Sequence, residues 1–299
     1  MLNIIKYKAV FLSVSGALML AALIAIISFG FVLGIDFKGG ALWQFRFAQD
    51  PPALETIENV FANDLKIQSA VISRDISGAT FFARFEEVAE SEHQSRLALA
   101  KEKLPGFEEL GFQSIGPSIG AELRTRSLWG IALVLIGISL YIAFAFRKVS
   151  RPISSWKYGV ITLVSLLHDV LIPAGLLALL GRIAGLEVDS NFVVALLVIM
   201  GFSVHDTIVV FDRIRENLAR NRGADDFASV INTSINQTLS RSINTSLTLV
   251  LVLIALYFVG PQSLAYFVIT LLVGVTLGTY SSIFVASPAL LLVNRRKAR

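Results

Sequence analysis

Six stretches of the chain, residues 10–33, 128–146, 158–180, 192–211, 243–259 and 264–293, stay apolar over the ~20 residues a helix needs to cross a hydrocarbon core. No other feature narrows the fold as far. Lipid offers no water to unpaired peptide groups, so such stretches are read as helices that satisfy their own backbone. With 55% hydrophobic residues, 16% charged residues and a mean hydropathy of +0.70, the rest of the chain cannot be a large soluble assembly. The sequence therefore predicts an α-helical polytopic membrane protein with one modest extramembranous domain. The first stretch follows Lys6 and Lys8 and exceeds the ~7–15 apolar residues of a cleavable signal, so it reads as an uncleaved signal anchor.

Basic residues set the orientation. Lys6 and Lys8, the loop carrying Arg147, Lys148, Arg151 and Lys157, the loop from Arg213 to Arg222, and the tail with Arg295, Arg296, Lys297 and Arg299 all fall on one side if six spans alternate. By the positive-inside rule that side is cytoplasmic, with both termini. The sequence divides into residues 1–33, an outer domain at 34–127, and five spans with their loops at 128–299. The outer domain holds 10 Lys/Arg against 14 Asp/Glu, so the net charge of +4 arises from topology. No basic stripe with interleaved aromatics is present, and nucleic-acid binding is excluded as a reading. With no cysteine there is neither a disulfide framework nor a thiolate metal site, and no metal is expected.

Within the outer domain, residues 41–47, 67–74, 79–85 and 107–115 are strand-like, and 51–64 and 91–104 helical, with a turn at Ile76-Ser77-Gly78. The order β-α-β-β-α-β is the split βαβ, or ferredoxin-like, pattern. Two glycine-punctuated motifs join this domain to the spans: Gly34-Ile35-Asp36-Phe37-Lys38-Gly39-Gly40 and Gly116-Pro117-Ser118-Ile119-Gly120. Turn chemistry alone allows flexible tethers or a fixed coupling turn.

Ionisable residues inside apolar spans are functional candidates by default. Asp206, beside His205, lies ~22 Å of helix rise from Asn191, in the cytoplasmic half of the fourth span. It is read either as a packing hydrogen bond or as part of a proton path. Asp169, next to His168 in the third span, ranks second; Pro173 leaves its carbonyl without an amide partner. In the polar approach to the fifth span, Gln237, Arg241, Thr245 and Thr248 recur at helical spacing, suggesting a hydrated stripe with Arg241 as counter-ion to Asp206. An Arg so near the cytoplasmic edge can equally snorkel to headgroups. Gly274 and Gly278 form a GxxxG that favours packing inside the bundle, and Pro288 should bend the sixth span.

The Gly34–Gly40 motif, the run from Gly201 through His205-Asp206 to Asn217, and Asn236-Gln237-Thr238-Leu239-Ser240-Arg241 together resemble the SecF branch of the SecD/SecF family of protein-export membrane proteins. The resemblance covers essentially the whole chain. It implies a resistance-nodulation-division (RND) type half-bundle in the bacterial inner membrane, not an enzyme, paired with SecD and acting beside the SecYEG channel on a translocating preprotein. Protons are implied as the coupling ion, with no other cofactor, and the proton-path residues fall on Asp206 and Arg241. Gly34, Asp36, Phe37, Gly39 and Gly40 match the family's glycine motif. At His205 this chain departs from the family pattern, which carries Asn there. Two other classes share features: a proton-coupled small-molecule exporter, and an intramembrane aspartyl protease built on Asp169 and Asp206, although neither aspartate sits in a GxGD sequence.

Overall fold

The computed structural model describes residues 2–74, 78–147, 153–220 and 226–293. The basic positions 148, 151, 222 and 295–299, and residues 76 and 77 of the expected turn, lie outside the described residues. In chain order the elements are α1 (Lys8–Phe29), α2 (Ile35–Lys38), β1 (Gly40–Phe47), α3 (Leu54–Asn59), β2 (Val71–Arg74), β3 (Thr80–Phe85), α4 (Glu90–Lys103), β4 (Phe107–Ile115), α5 (Pro117–Ala145), α6 (Ser155–Ala184), α7 (Ser190–Arg220), α8 (Phe227–Val259), α9 (Ala265–Ser281) and α10 (Ser287–Val293). They form two units, one of residues 1–32 with 128–299 and one of 33–127.

The smaller unit is a four-stranded antiparallel sheet in the order β2-β3-β1-β4. This is the sheet order of a split βαβ, with the middle two strands contributed by different halves of the sequence. Alternation places Ala41, Trp43 and Phe45 of β1 and Phe81, Ala83 and Phe85 of β3 on the buried face, where Ile57, Phe61, Ala100 and Leu104 cover them. Each buried aromatic contributes ~1.5–3 kcal/mol, and rings stack around Trp43 and Phe45. Strand β2 begins only at Val71, four residues later than the pattern suggested. Lys66 adopts a left-handed turn with φ 56°, which lets Ile67 enter the core without joining the sheet. Helix α3 widens into a π turn at Val60–Asp64, so the helix expected at 51–64 runs to its expected end but starts three residues late, at Leu54.

Among the described residues, six helical segments are long and apolar enough to span a membrane: Ile5–Phe29, Pro117–Ala145, Ser155–Ala184, Ser190–Arg220, Phe227–Val259 and Ala265–Val293; all lie in the larger unit except the first 11 residues of Pro117–Ala145. Several outrun the apolar stretches, because polar ends continue the same helix: α5 starts 11 residues before Leu128, and α8 starts 16 before Ile243. Small residues set the packing. A Cβ on Gly175 would fall 2.4 Å from the Ala22 Cα of α1, and one on Gly278 would fall 3.0 Å from the Ser203 Cβ of α7. The GxxxG face of α9 is thus spent inside the bundle, Gly274 lying against Ile199. Helix α6 runs on through Pro173. Ahead of Pro288 the last span widens into a π turn at Ser282–Ala286, where the Ser287 hydroxyl donates to the Ser282 carbonyl at 2.7 Å.

Candidate functional site

The intramembrane aspartates sit where α6, α7 and α9 meet. Asp206 is buried, and its Oδ2 accepts the Thr279 hydroxyl of α9 at 3.2 Å. Thr279 also shares a hydrogen bond with Ser246 of α8. Ser242 of α8 lies against the same carboxylate, its buried Oγ short of hydrogen-bonding geometry. The immediate partners of Asp206 are therefore hydroxyls. No salt bridge to it is present among the described residues.

One helical turn earlier on α7, Ser203 donates to Asp169 of α6. The same oxygen, Oδ2, accepts Ser281 of α9 at 2.7 Å, and Ser165 donates to Ser281 at 3.1 Å. The other oxygen, Oδ1, lies 2.8 Å from His168 Nδ1. All five groups are essentially inaccessible. The two carboxylates do not hydrogen-bond one another, so the shared-proton geometry of an aspartyl protease is absent from this pair.

Helix α8 explains why the expected stripe faces elsewhere. Its polar residues at 232–248 divide among three faces. Ser234, Thr238, Ser242 and Ser246, each four residues apart, turn into the bundle. Asn232 and Asn236 grip the N-terminal segment: Asn232 Oδ1 accepts the Ile4 amide at 2.9 Å, Asn236 Oδ1 accepts the Leu2 amide at 2.8 Å, and both side-chain amides donate to the Leu2 carbonyl. Gln237, Arg241, Thr245 and Thr248 form the third face and are exposed. Thr245 and Thr248 return their hydroxyls to carbonyls of their own helix at 2.9 and 2.7 Å, so neither needs a hydrated path. Gln237 instead accepts from Arg213 at 2.6 Å and Asn217 at 2.8 Å, fastening α7 to α8. Arg241 makes no ion pair with Asp206 within this chain. His205 also points outward, next to Asp206 in sequence but off its buried face.

The glycine motif is a fixed turn. Helix α2 closes with Lys38 and Gly39 amides donating to Gly34 and Ile35 carbonyls at 3.0 and 2.8 Å. Gly39 has φ 82°, and a Cβ there would meet the Pro117 Cα at 2.7 Å; a Cβ on Gly120 would meet the Gly39 amide nitrogen at 3.0 Å. Gly40 has φ 119°, its missing Cβ facing the Phe85 carbonyl at 2.8 Å. Phe37 is buried, and Asp36 accepts from Gln113 at 3.3 Å. Gly34 is extended, with φ −73° and ψ 175°, and uses none of glycine's extra freedom. The two motifs pack against each other within the smaller unit.

A family model described as "Protein export membrane protein SecD/SecF, C-terminal" matches residues 97–296. The chain belongs to the SecD/SecF family. A second family model, the SecD/SecF GG motif, matches residues 24–51 and so covers the locked turn. Curated SecD/SecF relatives bear the name "Protein translocase subunit SecF". The one from Thermobaculum terrenum is 43% identical over 98% of this chain and 94% of its own length, and the one from Helicobacter pylori strain J99 is 32% identical over 98% and 87%. Among solved structures, the crystal structure of SecDF, a translocon-associated membrane protein from Thermus thermophilus, matches with a TM-score of 0.82 at 33% identity over 98% of this chain. This SecD/SecF chain spans 39% of that longer one. A SecDF structure in a super-membrane-facing form matches with a TM-score of 0.69 at 34% identity, over 99% of this chain and 39% of that one.

Sequence reasoning singled out Asp206 and Asp169 but passed over the hydroxyls that surround them. Ser203 stands three residues before Asp206 on the same helical face, and Thr279 and Ser281 stand one and three residues after Gly278. The strict four-residue repeat of Ser234, Thr238, Ser242 and Ser246 was a readable sign of a buried polar face.

Proposed function

We propose that this chain is an auxiliary subunit of the bacterial Sec protein translocase, working with SecD in the inner membrane beside the SecYEG channel. Protons moving inward past Asp206 promote preprotein export. Its relatives' shared name supports the translocase role, and the likeness to SecDF supports a SecD-type partner. The observation that carries the proton reading is the hydroxyl nest around Asp206. A hydroxyl both donates and accepts, so Thr279 and Ser242 can rotate to serve the carboxylate or the neutral acid, with Ser246 hydrogen-bonded behind Thr279. A fixed Arg or Lys partner would serve the anion alone. Such a nest lets the charge of Asp206 change without leaving a buried cation unpaired.

Arg241, exposed on the opposite face of α8, faces the partner subunit in this reading and meets an acidic group there. The locked junction between Gly39 and Pro117 then couples the start of α5 to the glycine turn, passing a shift of the bundle outward. Export driven by a proton gradient into vesicles holding the complete translocase tests this. Asp206→Asn should abolish the proton-driven part while leaving assembly with SecD intact; wild-type export by that variant would remove Asp206 from the mechanism.

A further inference from the structure

His168 is buried to 0% exposure in the middle of the bundle, and the reading above gives it no task. Its Nδ1 is engaged by Asp169 Oδ1 at 2.8 Å, and its Nε2 is buried with no hydrogen-bond partner among the described residues. A buried polar atom left unmatched costs ~1–3 kcal/mol and calls for an explanation. Every other polar atom of the cluster is satisfied: Asp169 Oδ2 accepts both Ser203 and Ser281, and Ser281 accepts Ser165.

The geometry points to His168 and Asp169 forming a second proton-binding site, one helical turn from Asp206, that takes its proton at His168 Nε2. With Nδ1–H donating to Asp169, the imidazole is neutral and Nε2 carries an open lone pair. A proton arriving there forms one N–H bond and breaks none within the dyad, and the Nδ1–H···Oδ1 hydrogen bond persists. The dyad's charge moves from −1 to 0, because the imidazolium is formed already paired with its carboxylate. An isolated histidine at this depth would instead have to be charged alone, at far greater cost. The carboxylate is itself held by hydroxyls from α7 and α9, so loading the dyad changes the electrostatics at the junction of three helices.

The surroundings support a binding site over mere packing. The titratable side chain packed on the dyad among the described residues is Tyr280 from α9, while Asp206 stands one helical turn beyond Ser203 on α7. The Tyr280 ring stacks on His168 at 6.2 Å, and its hydroxyl accepts from Ser15 of α1 at 3.3 Å and donates to the Phe11 carbonyl at 3.4 Å. Helix α1 contributes no charge to the cluster, and His205 turns away. The proposal rests on the proton reading only for its purpose; the site itself is tested without transport.

The test is 15N NMR of the histidines in the complete chain in lipid bilayers, between about pH 5 and about pH 9. The His168 signals are assigned from their correlation with Leu167 and Asp169, and by their absence in His168→Gln. The expected result is an Nε2 resonance that passes from the unprotonated to the protonated position as pH falls, while Nδ1 stays protonated throughout. Asp169→Asn should change the proton affinity at least about tenfold. An Nε2 that remains unprotonated across the whole range in the wild-type chain overturns the proposal, whether or not any variant folds. Asp206→Asn keeps the two readings apart. If His168 still titrates in that variant while proton-driven export is normal, the dyad stands and the Asp206 reading falls.

Discussion

Replacing Gly39 by alanine probes the locked junction most sharply. Gly39 has φ 82°, and adding a Cβ to a left-handed residue costs ~1–2 kcal/mol on its own. The new atom would also lie 2.7 Å from the Pro117 Cα and 2.9 Å from its nitrogen, where the ring leaves the backbone little room to yield. Overpacking of this kind costs a further ~1–3 kcal/mol. The total, ~2–5 kcal/mol, corresponds to a loss of roughly 30- to 5,000-fold in the folded-to-unfolded ratio of the outer unit. Gly78→Ala is the control. Gly78 has φ 74°, but its Cβ would meet nothing within 4 Å, so only the ~1–2 kcal/mol backbone cost applies. The assay is denaturant unfolding of the full chain labelled with 5-fluorotryptophan. Trp43, fully buried in the outer unit, reports the transition, while Trp129 and Trp156, 65% and 58% exposed, report the membrane helices. Equal destabilisation by the two substitutions would show that Gly39 and Pro117 are not in contact.

Three further outcomes follow from the packing. Gly175→Ala places a Cβ 2.4 Å from Ala22 Cα and should push α1 from α6 at a cost of ~1–3 kcal/mol; cysteine pairs introduced across the two helices of this cysteine-free chain should then crosslink more slowly. Removing both Asn232 and Asn236 strips the N-terminal segment of its side-chain partners on α8, so amide exchange at Leu2 and Ile4 should accelerate while that of α9 does not change. Arg241→Ala should leave the unfolding of the lone chain within about 0.5 kcal/mol of wild type, since Arg241 is exposed and makes no ion pair among the described residues, yet should abolish proton-driven export by the assembled translocase. A large loss of stability in the lone chain would refute the outward placement of Arg241.

The sequence made the fold class legible because both of its signals are strong. Twenty-residue apolar runs have no soluble alternative, and strands such as Thr80–Phe85 alternate cleanly between core and surface. Helix ends were less legible. Composition marks where a helix is greasy, whereas backbone hydrogen bonding decides where it stops, so α8 extends far into a polar stretch. The facing of α8 was the hardest to read. Serine and threonine can satisfy their hydroxyls on their own helix, as Thr245 and Thr248 do, so a polar position on a membrane helix does not by itself report which way it points. Only contact with α7 and α9 distinguishes the buried line through Ser242 and Ser246 from the exposed line through Arg241. The hydroxyl partners of Asp169 and Asp206 come from helices up to 112 residues away, a separation no local pattern encodes.

The central claim is that Asp206, hydrogen-bonded by a hydroxyl and without a salt bridge among the described residues, changes its protonation as protons cross the membrane. Proton uptake into liposomes holding the chain with its SecD partner, followed with an internal pH dye under an imposed gradient, measures this directly. The account predicts that Asp206→Asn falls to the rate of empty liposomes while the complex remains assembled. Uptake by that variant at the wild-type rate would contradict it.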